Sequence, residues 1–263
     1  MPELPDVEAF RHYLHSRVLR QRIESVDVAA PSLIMGGDPK TLLRALRGAV
    51  LLSTHRHGKY LFLEIDRGGW LLLHFGMTGY PVVDANKQRP SDRARLRIRF
   101  ANGHSVSYFD PRKLGRIGIV DDVAEFIRSR NLGPDVLSVM EDLFKERLKK
   151  KATGAKAALM DQHVLAGIGN VYADEILFQA RLSPLARLSG VKSPTWRTLY
   201  RATRKVLCRA IEVRANPMSL PRTYLLHHRE RNGRCPRCGR SLQTMKVGGR
   251  TTYYCPRDQR KAA

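Results

Sequence analysis

The residues with the most chemistry per position open the chain: Met1-Pro2-Glu3-Leu4-Pro5-Asp6-Val7-Glu8. Removal of Met1, which a small second residue favours, leaves Pro2 with a free secondary amine. An α-amino group titrates near ~8, well below the ~10.4 of lysine, so part of it is unprotonated at neutral pH. Such an amine forms an iminium with an aldehyde-level carbon and splits one hard step into two easier ones. Glu3 is within reach as an acid/base partner. The plainer reading is a proline-rich start that only positions a helix.

A second constellation is Cys235-Pro236-Arg237-Cys238 followed later by Cys255. Two cysteines on a knuckle and a third on a returning strand suit tetrahedral Zn²⁺. In Cys255-Pro256-Arg257-Asp258, Asp258 stands where a zinc ribbon has its fourth cysteine. An aspartate oxygen is a harder ligand that still binds zinc, which gives a Cys₃Asp site. The alternative is a ribbon that keeps its shape by packing alone. Between the knuckles, Lys246-Val247-Gly248-Gly249-Arg250-Thr251 puts Arg250 beside a glycine turn, where a guanidinium suits a phosphate.

Two further stretches point the same way. In Met160 to Glu175 a short helix is expected to end at Gly167-Ile168-Gly169, with a new one beginning at Asn170. Glycine-turn amides at a helix start make an anion site; an ordinary helix hairpin is the other reading. Lys59 follows His55-Arg56-His57-Gly58. Met77 lies in His74-Phe75-Gly76-Met77-Thr78-Gly79, and Arg112 and Leu114 in Asp110-Pro111-Arg112-Lys113-Leu114-Gly115. A Met or Leu usually belongs to a core, but glycine-flanked loops are poor places to bury one.

Positioning these groups needs three kinds of element. Pro5 suits the first turn of a helix, and Val7, Phe10, Leu14 and Val18 recur at helical spacing. Short strands are expected at Ile23–Val28, Val50–His55, Tyr60–Ile65 and Trp70–His74. Arg93–Phe100 and His104–Phe109 are joined through Asn102-Gly103, a hairpin signal. There Arg95, Arg97 and Arg99 alternate with Leu96, Ile98 and Phe100, which predicts a three-guanidinium face that is either solvated or in contact with phosphate. This half reads as a two-sheet sandwich or flattened barrel. From about Leu132 the pattern turns helical, with helices over Val139–Lys151 and from Ser193-Pro194 through Trp196, Leu199, Thr203, Val206 and Ala210.

The composition restricts the partners. With 47 Lys+Arg against 24 Asp+Glu, the 263-residue chain carries +23. That charge suits a polyanion, most simply nucleic acid. No long apolar stretch or signal peptide stands out, which argues against a membrane role. Four cysteines, three of them clustered, do not form a disulfide framework, and a reducing cytoplasm fits them.

Together these residues resemble the formamidopyrimidine-DNA glycosylase and endonuclease VIII family of base-excision repair enzymes. The likeness runs from Pro2–Glu8 through the Lys59 segment, Asp110–Gly115, Leu132-Gly133-Pro134-Asp135 and Gly167–Glu175 to the terminal ribbon. It implies an α+β multidomain fold: an N-terminal catalytic β-sandwich with a leading helix over 1–131, a helix–two-turn–helix DNA-binding domain over 132–223, and a C-terminal zinc-ribbon β-hairpin over 224–263. Damaged double-stranded DNA would be the partner of a monomer working at the bacterial nucleoid in the cytoplasm, with one structural zinc on Cys235, Cys238, Cys255 and Asp258.

Carried over residue by residue, the family mechanism gives Pro2 the attack on C1′ of the damaged nucleotide. Glu3 serves the sugar ring oxygen and later proton transfers, and Lys59 the lesion phosphate and base departure. Arg250, Asn170 and Lys156 would grip phosphates around the everted nucleotide. Met77, Arg112 and Leu114 would fill the hole left in the stack. β- and then δ-elimination would cut the strand. Three features depart from the formamidopyrimidine branch: Asp258 itself, Leu114 where an aromatic wedge is usual, and a short connector, Ala215–Thr223, in place of a longer base-capping loop. The last favours oxidised pyrimidines, formamidopyrimidines or hydantoins over 8-oxoguanine. The rival readings are a non-catalytic damaged-DNA-binding protein of the same fold and an RNA-binding zinc-ribbon protein; intact Pro2, Glu3 and Lys59 argue against the first.

Overall fold

The computed structural model describes residues 1–36, 38–84 and 93–259. The chain forms two compact units, one of residues 1–2 and 6–130, the other of residues 3–5 with those from 131 onward. The boundary within the first six residues matters, because it assigns Glu3 to the second unit.

In the first unit the strands fall where alternation and turn residues put them. They are β1 (Ile23–Val28), β2 (Leu51–His57), β3 (Tyr60–Ile65), β4 (Trp70–His74), β5 (Tyr80–Asp84), β6 (Ala94–Phe100), β7 (Ser105–Phe109) and β8 (Arg116–Val120). They make two four-stranded antiparallel sheets, ordered β1-β6-β7-β5 and β2-β3-β4-β8. Leu61, Leu63, Leu71 and Leu73 of one sheet share a single core with Leu96, Ile98, Val106 and Tyr108 of the other. This is the expected sandwich, since each sheet buries one face only by packing on the other. Helix α1 (Leu4–Val18) adds Val7, Leu14 and Val18 to that core, α2 (Pro39–Leu46) adds Leu42 and Leu46, and α3 (Val123–Ser129) follows β8. Each such aliphatic side chain contributes about 1.5–3 kcal/mol on full burial.

The Asn102-Gly103 turn forms as expected. Gly103 has φ +86°, and Asn102 Oδ1 accepts from the His104 amide at 3.0 Å. The arginine face differs from expectation. Arg97 is buried, with Nε and Nη2 on Ser105 Oγ at 3.3 and 3.1 Å, and Arg95 Nε donates to the Asp110 carbonyl. Strand alternation alone does not report that β7 supplies a hydroxyl diagonally across from Arg97, at the position paired with Arg99.

The second unit packs α4 (Glu141–Lys149), α5 (Ala155–Met160), α6 (Asn170–Gln179) and α7 (Ser193–Glu212) around one core. Trp196, Leu199, Thr203, Val206 and Ala210 line the buried face of α7, at the periodicity read from sequence. Strands β9 (Gln243–Val247) and β10 (Arg250–Tyr254) pair antiparallel across Gly248 and Gly249, which have φ +54° and +72°. Two positive φ angles match the right-handed twist of a two-residue hairpin. The ribbon shares a small core with the helices, formed by Phe178, Leu225, Cys235 and Cys255.

Helix α5 stops at Met160, earlier than expected, and the residues up to Ile168 form turns. The Gln162 amide closes that segment: Nε2 donates to the Met160 and Ile168 carbonyls at 2.7 and 2.8 Å, and Oε1 accepts from Gly167 N at 3.0 Å. No helix among the described residues is long and apolar enough to cross a membrane.

Candidate functional site

Helix α6 is the centre of the second unit's polar structure. Its first amides point into a buried space with no side-chain cap, which leaves donors to be satisfied. The expected occupant of this helix start was a phosphate. In this structure the anion is the Glu3 carboxylate, which is 1% exposed. Its Oε2 accepts from Gly169 N at 2.7 Å and Tyr172 N at 3.2 Å, and its Oε1 from Val171 N at 2.8 Å. Helix-start amides and dipole both favour a negative charge here. Leu4 N also donates to Gly167 O, which ties the chain start to the same turn. The carboxylate is therefore fixed in orientation, one residue from Pro2.

Behind α6 lies a buried ion network. Lys156, expected to touch DNA, is instead fully buried. Its Nζ reaches Asn170 Oδ1 at 2.7 Å, Thr252 Oγ1 at 2.7 Å and Asp174 Oδ1 at 2.6 Å. Its hydrogen bonds go to the amide and hydroxyl oxygens, while the Asp174 carboxylate is its counter-charge. The sequence shows a lysine in a basic chain; it does not show that α5 turns it inward. Asp174 also holds Arg229 Nη2 at 2.9 Å and the Tyr253 amide at 3.1 Å. Burial pulls Lys156 below the ordinary lysine value and pushes Asp174 above the ordinary aspartate value, and their contact opposes both shifts. Asn170, placed at the α6 start as expected, also donates from Nδ2 to Thr251 O at 3.2 Å. The network thus joins α5 and α6 to the hairpin that carries Arg250, an exposed side chain at the head of β10.

The neighbouring Glu175 is fully buried as well, with its carboxylate accepting from Gln179 Nε2 and Leu226 N. Burial pushes it up to about 7.

In the first unit, buried Asp110 organises the two glycine loops. Its Oδ1 accepts from Thr78 Oγ1 and its Oδ2 from Gly115 N, each at 2.7 Å. The backbones pack so closely that a Cβ at Gly76, where φ is +55°, would meet the Leu114 and Gly115 main chain. This brings together residues singled out from sequence: Arg112 Nη1 lies 3.4 Å from Met77 Sδ, and Leu114 is 43% exposed. Asp110 stood in the quoted motif without a role; only the contacts reveal its function as a clamp.

Lys59 occupies the β2–β3 turn. Its charge acts on His74, whose pKa is lowered to about 4 by burial first, then by Lys59 and Arg116. His74 Nδ1 accepts from Gly76 N at 3.3 Å, which places the proton of the neutral ring on Nε2. The unfolded ring binds a proton below about 6.5 and the folded ring only below about 4. Stability contributed by the neutral ring is therefore complete above pH 6.5. It is lost as pH falls towards 4, by about 3 kcal/mol in total. NMR titration of the His74 ring should show it neutral at pH 5.5; a midpoint above 6 would contradict this environment.

The ribbon gathers Cys235, Cys238 and Cys255, whose sulfurs lie within 4.8 Å of one another. Three soft donors at this spacing, two of them on buried residues, fit one structural zinc. Asp258 is not part of this group; its Oδ2 accepts from Arg237 Nη1 at 2.6 Å.

Comparison with known proteins accounts for the architecture. Residues 1–117 match the formamidopyrimidine-DNA glycosylase N-terminal domain, 132–221 its H2TH domain, and 233–260 the zinc finger found in FPG and IleRS. The formamidopyrimidine-DNA glycosylase of Protochlamydia amoebophila is 31% identical, over 99% of this chain and all of that protein. That of Symbiobacterium thermophilum is 34% identical, over 98% and 89% respectively. The Lactococcus lactis enzyme bound to DNA containing an AP site superposes with a TM-score of 0.89 at 29% identity, over 99% of this chain and all of that one. A MutM structure with DNA containing carbocyclic 8-oxo-G gives 0.90 at 28%. With all three domains matched in order and full-length relatives above 30% identity, the chain belongs to the formamidopyrimidine-DNA glycosylase family.

Proposed function

We propose that this protein is a bifunctional DNA glycosylase/AP lyase that everts an oxidised base from duplex DNA, removes it and cuts the strand. The observation that carries the reading is the buried Glu3 carboxylate, next to Pro2 in the chain and held by the amides of Gly169, Val171 and Tyr172 at the α6 start. With Met1 removed, the Pro2 amine attacks C1′ of the damaged nucleotide. As the C1′–N bond forms, the amine gives up its proton to the Glu3 carboxylate, which passes it to the sugar ring oxygen; the ring opens, and the base leaves with the glycosidic electron pair. The resulting iminium acidifies the C2′ proton. β-Elimination then expels the 3′ phosphate and δ-elimination the 5′ phosphate. Hydrolysis of the iminium returns the amine.

Lys59 holds the lesion phosphate in this scheme, and Asn170 and Arg250 hold the flanking ones. Met77, Arg112 and Leu114 enter the stack, which offsets a few kcal/mol of lost stacking. Lys156 acts from behind Asn170 and the hairpin rather than on DNA, because its ammonium is fully buried against Asn170, Thr252 and Asp174. The +23 charge supports phosphate-dominated, salt-sensitive affinity.

The short stretch from the end of α7 to the Leu225–His228 turn supports a substrate preference for oxidised pyrimidines, formamidopyrimidines or hydantoins over 8-oxoguanine. A panel of duplexes with each lesion tests this reading. The expected products carry phosphate at both ends of a one-nucleotide gap, and 8-oxoguanine is the slowest substrate. Tight binding to damaged duplexes without any cleavage would instead support the non-catalytic reading.

A further inference from the structure

Asp258 occupies the position of a fourth zinc ligand, yet its side chain is engaged elsewhere. Besides the 2.6 Å bond from Arg237, its Oδ1 lies 3.9 Å from Arg181 Nε, and it is only 12% exposed. The Arg237 guanidinium is itself fixed on several sides. Its Nη1 donates to Phe178 O at 2.8 Å, its Nη2 to Gln179 Oε1 at 2.8 Å, and it lies over the Phe178 ring at 4.1 Å. These are the last residues of α6, so Arg237 satisfies the carboxyl end of the helix whose amino end holds Glu3. The main chain at 258 still faces the cysteine cluster: Asp258 N donates to Cys255 Sγ at 3.4 Å. Backbone and side chain thus divide the work, one supporting a sulfur and the other locking a guanidinium.

Turning the carboxylate onto zinc would break a short charge-assisted bond and leave a half-buried guanidinium without its counter-charge. Among the described residues, no other Asp, Glu or His joins the three sulfurs. We propose that the ribbon zinc is held by three thiolates alone, so that its fourth position takes solvent or an exogenous soft monodentate ligand such as a small thiol. Asp258 is a positioning residue that fastens the ribbon to α6 through Arg237. A structural zinc site is normally closed by four protein ligands, and a site with three keeps an exchangeable one. On thiol binding the bound water leaves, the thiol sulfur takes its place as thiolate, and the released proton goes to buffer. The proposal rests on the ribbon holding zinc, which the test reads separately.

The test uses the full-length protein. Metal analysis should give one zinc per chain, and X-ray absorption at the zinc edge three sulfurs at about 2.3 Å with one oxygen at about 2.0 Å. In the Co²⁺-substituted protein, titration with 2-mercaptoethanol should raise the sulfur-to-metal charge-transfer band by about a third as a fourth thiolate joins three. Asp258→Asn, which keeps an acceptor for Arg237, should retain the metal, the spectrum and the thiol response. Asp258→Cys, which supplies a fourth sulfur, should abolish the response. The proposal is overturned if the wild-type spectrum ignores thiol at tens of millimolar while Asp258→Asn alters it, because Asp258 would then be the ligand. A protein that takes up neither zinc nor Co²⁺ overturns it too, and the metal ratio identifies that cause.

Discussion

Gly169→Ala should lower the rate of base excision by about two orders of magnitude while the chain stays folded. The backbone at Gly169 has φ −125° and ψ −161°, an extended conformation that alanine adopts without strain. The obstacle is Glu3: a Cβ at position 169 would overlap its carboxylate carbon. The acid must then leave the amides of Gly169, Val171 and Tyr172, and a displacement of about 1 Å at a reacting group costs about 10²-fold. Single-turnover excision measures the loss, and thermal unfolding checks the fold. Cleavage of a ready-made abasic site should suffer less, since no glycosidic bond remains to be broken. Wild-type excision in this variant would mean that the α6 amides do not hold Glu3 for catalysis.

Lys156→Met is expected to give the largest loss of stability, about 3 kcal/mol or more. Methionine matches the volume but removes the charge, leaving Asp174 to Arg229 and the Tyr253 amide alone. Asn170 and Thr252 lose their donor in the same step. Urea unfolding should show a lower midpoint. DNA affinity should fall for every duplex alike, because the hairpin bearing Arg250 loses its tie to α5. A variant as stable as wild type but defective on one lesion alone would return Lys156 to direct contact with DNA.

The sequence revealed most where one residue type has one use. The cysteines on a knuckle pointed to the zinc finger, and the two glycines before Arg250 to the hairpin turn. Strand limits were close for the same reason, since alternation against a buried face leaves little freedom: β1, β3 and β4 run where they were expected. Direction was harder to read than type. Arg97 and Lys156 are cations in a basic chain, and both turn inward because a distant hydroxyl, amide oxygen or carboxylate waits there. Asp258 sits at a ligand's position but chooses a guanidinium on the other knuckle. The helix start at Gly169 was recognised as an anion site, but the anion proved to be Glu3, many residues away along the chain. Such pairings depend on which segments fold together, and no local pattern encodes them. The clamp roles of Asp110 and Gln162 were hidden for the same reason.

The central claim is that the Pro2 amine is the nucleophile. It is tested most directly by borohydride reduction of the Met1-free protein mixed with an abasic-site duplex, followed by peptide mapping of the cross-link. The account predicts one covalent protein–DNA adduct on the N-terminal peptide at Pro2, lost when Met1 is retained. An adduct mapping to Lys59 with Pro2 unmodified would contradict it.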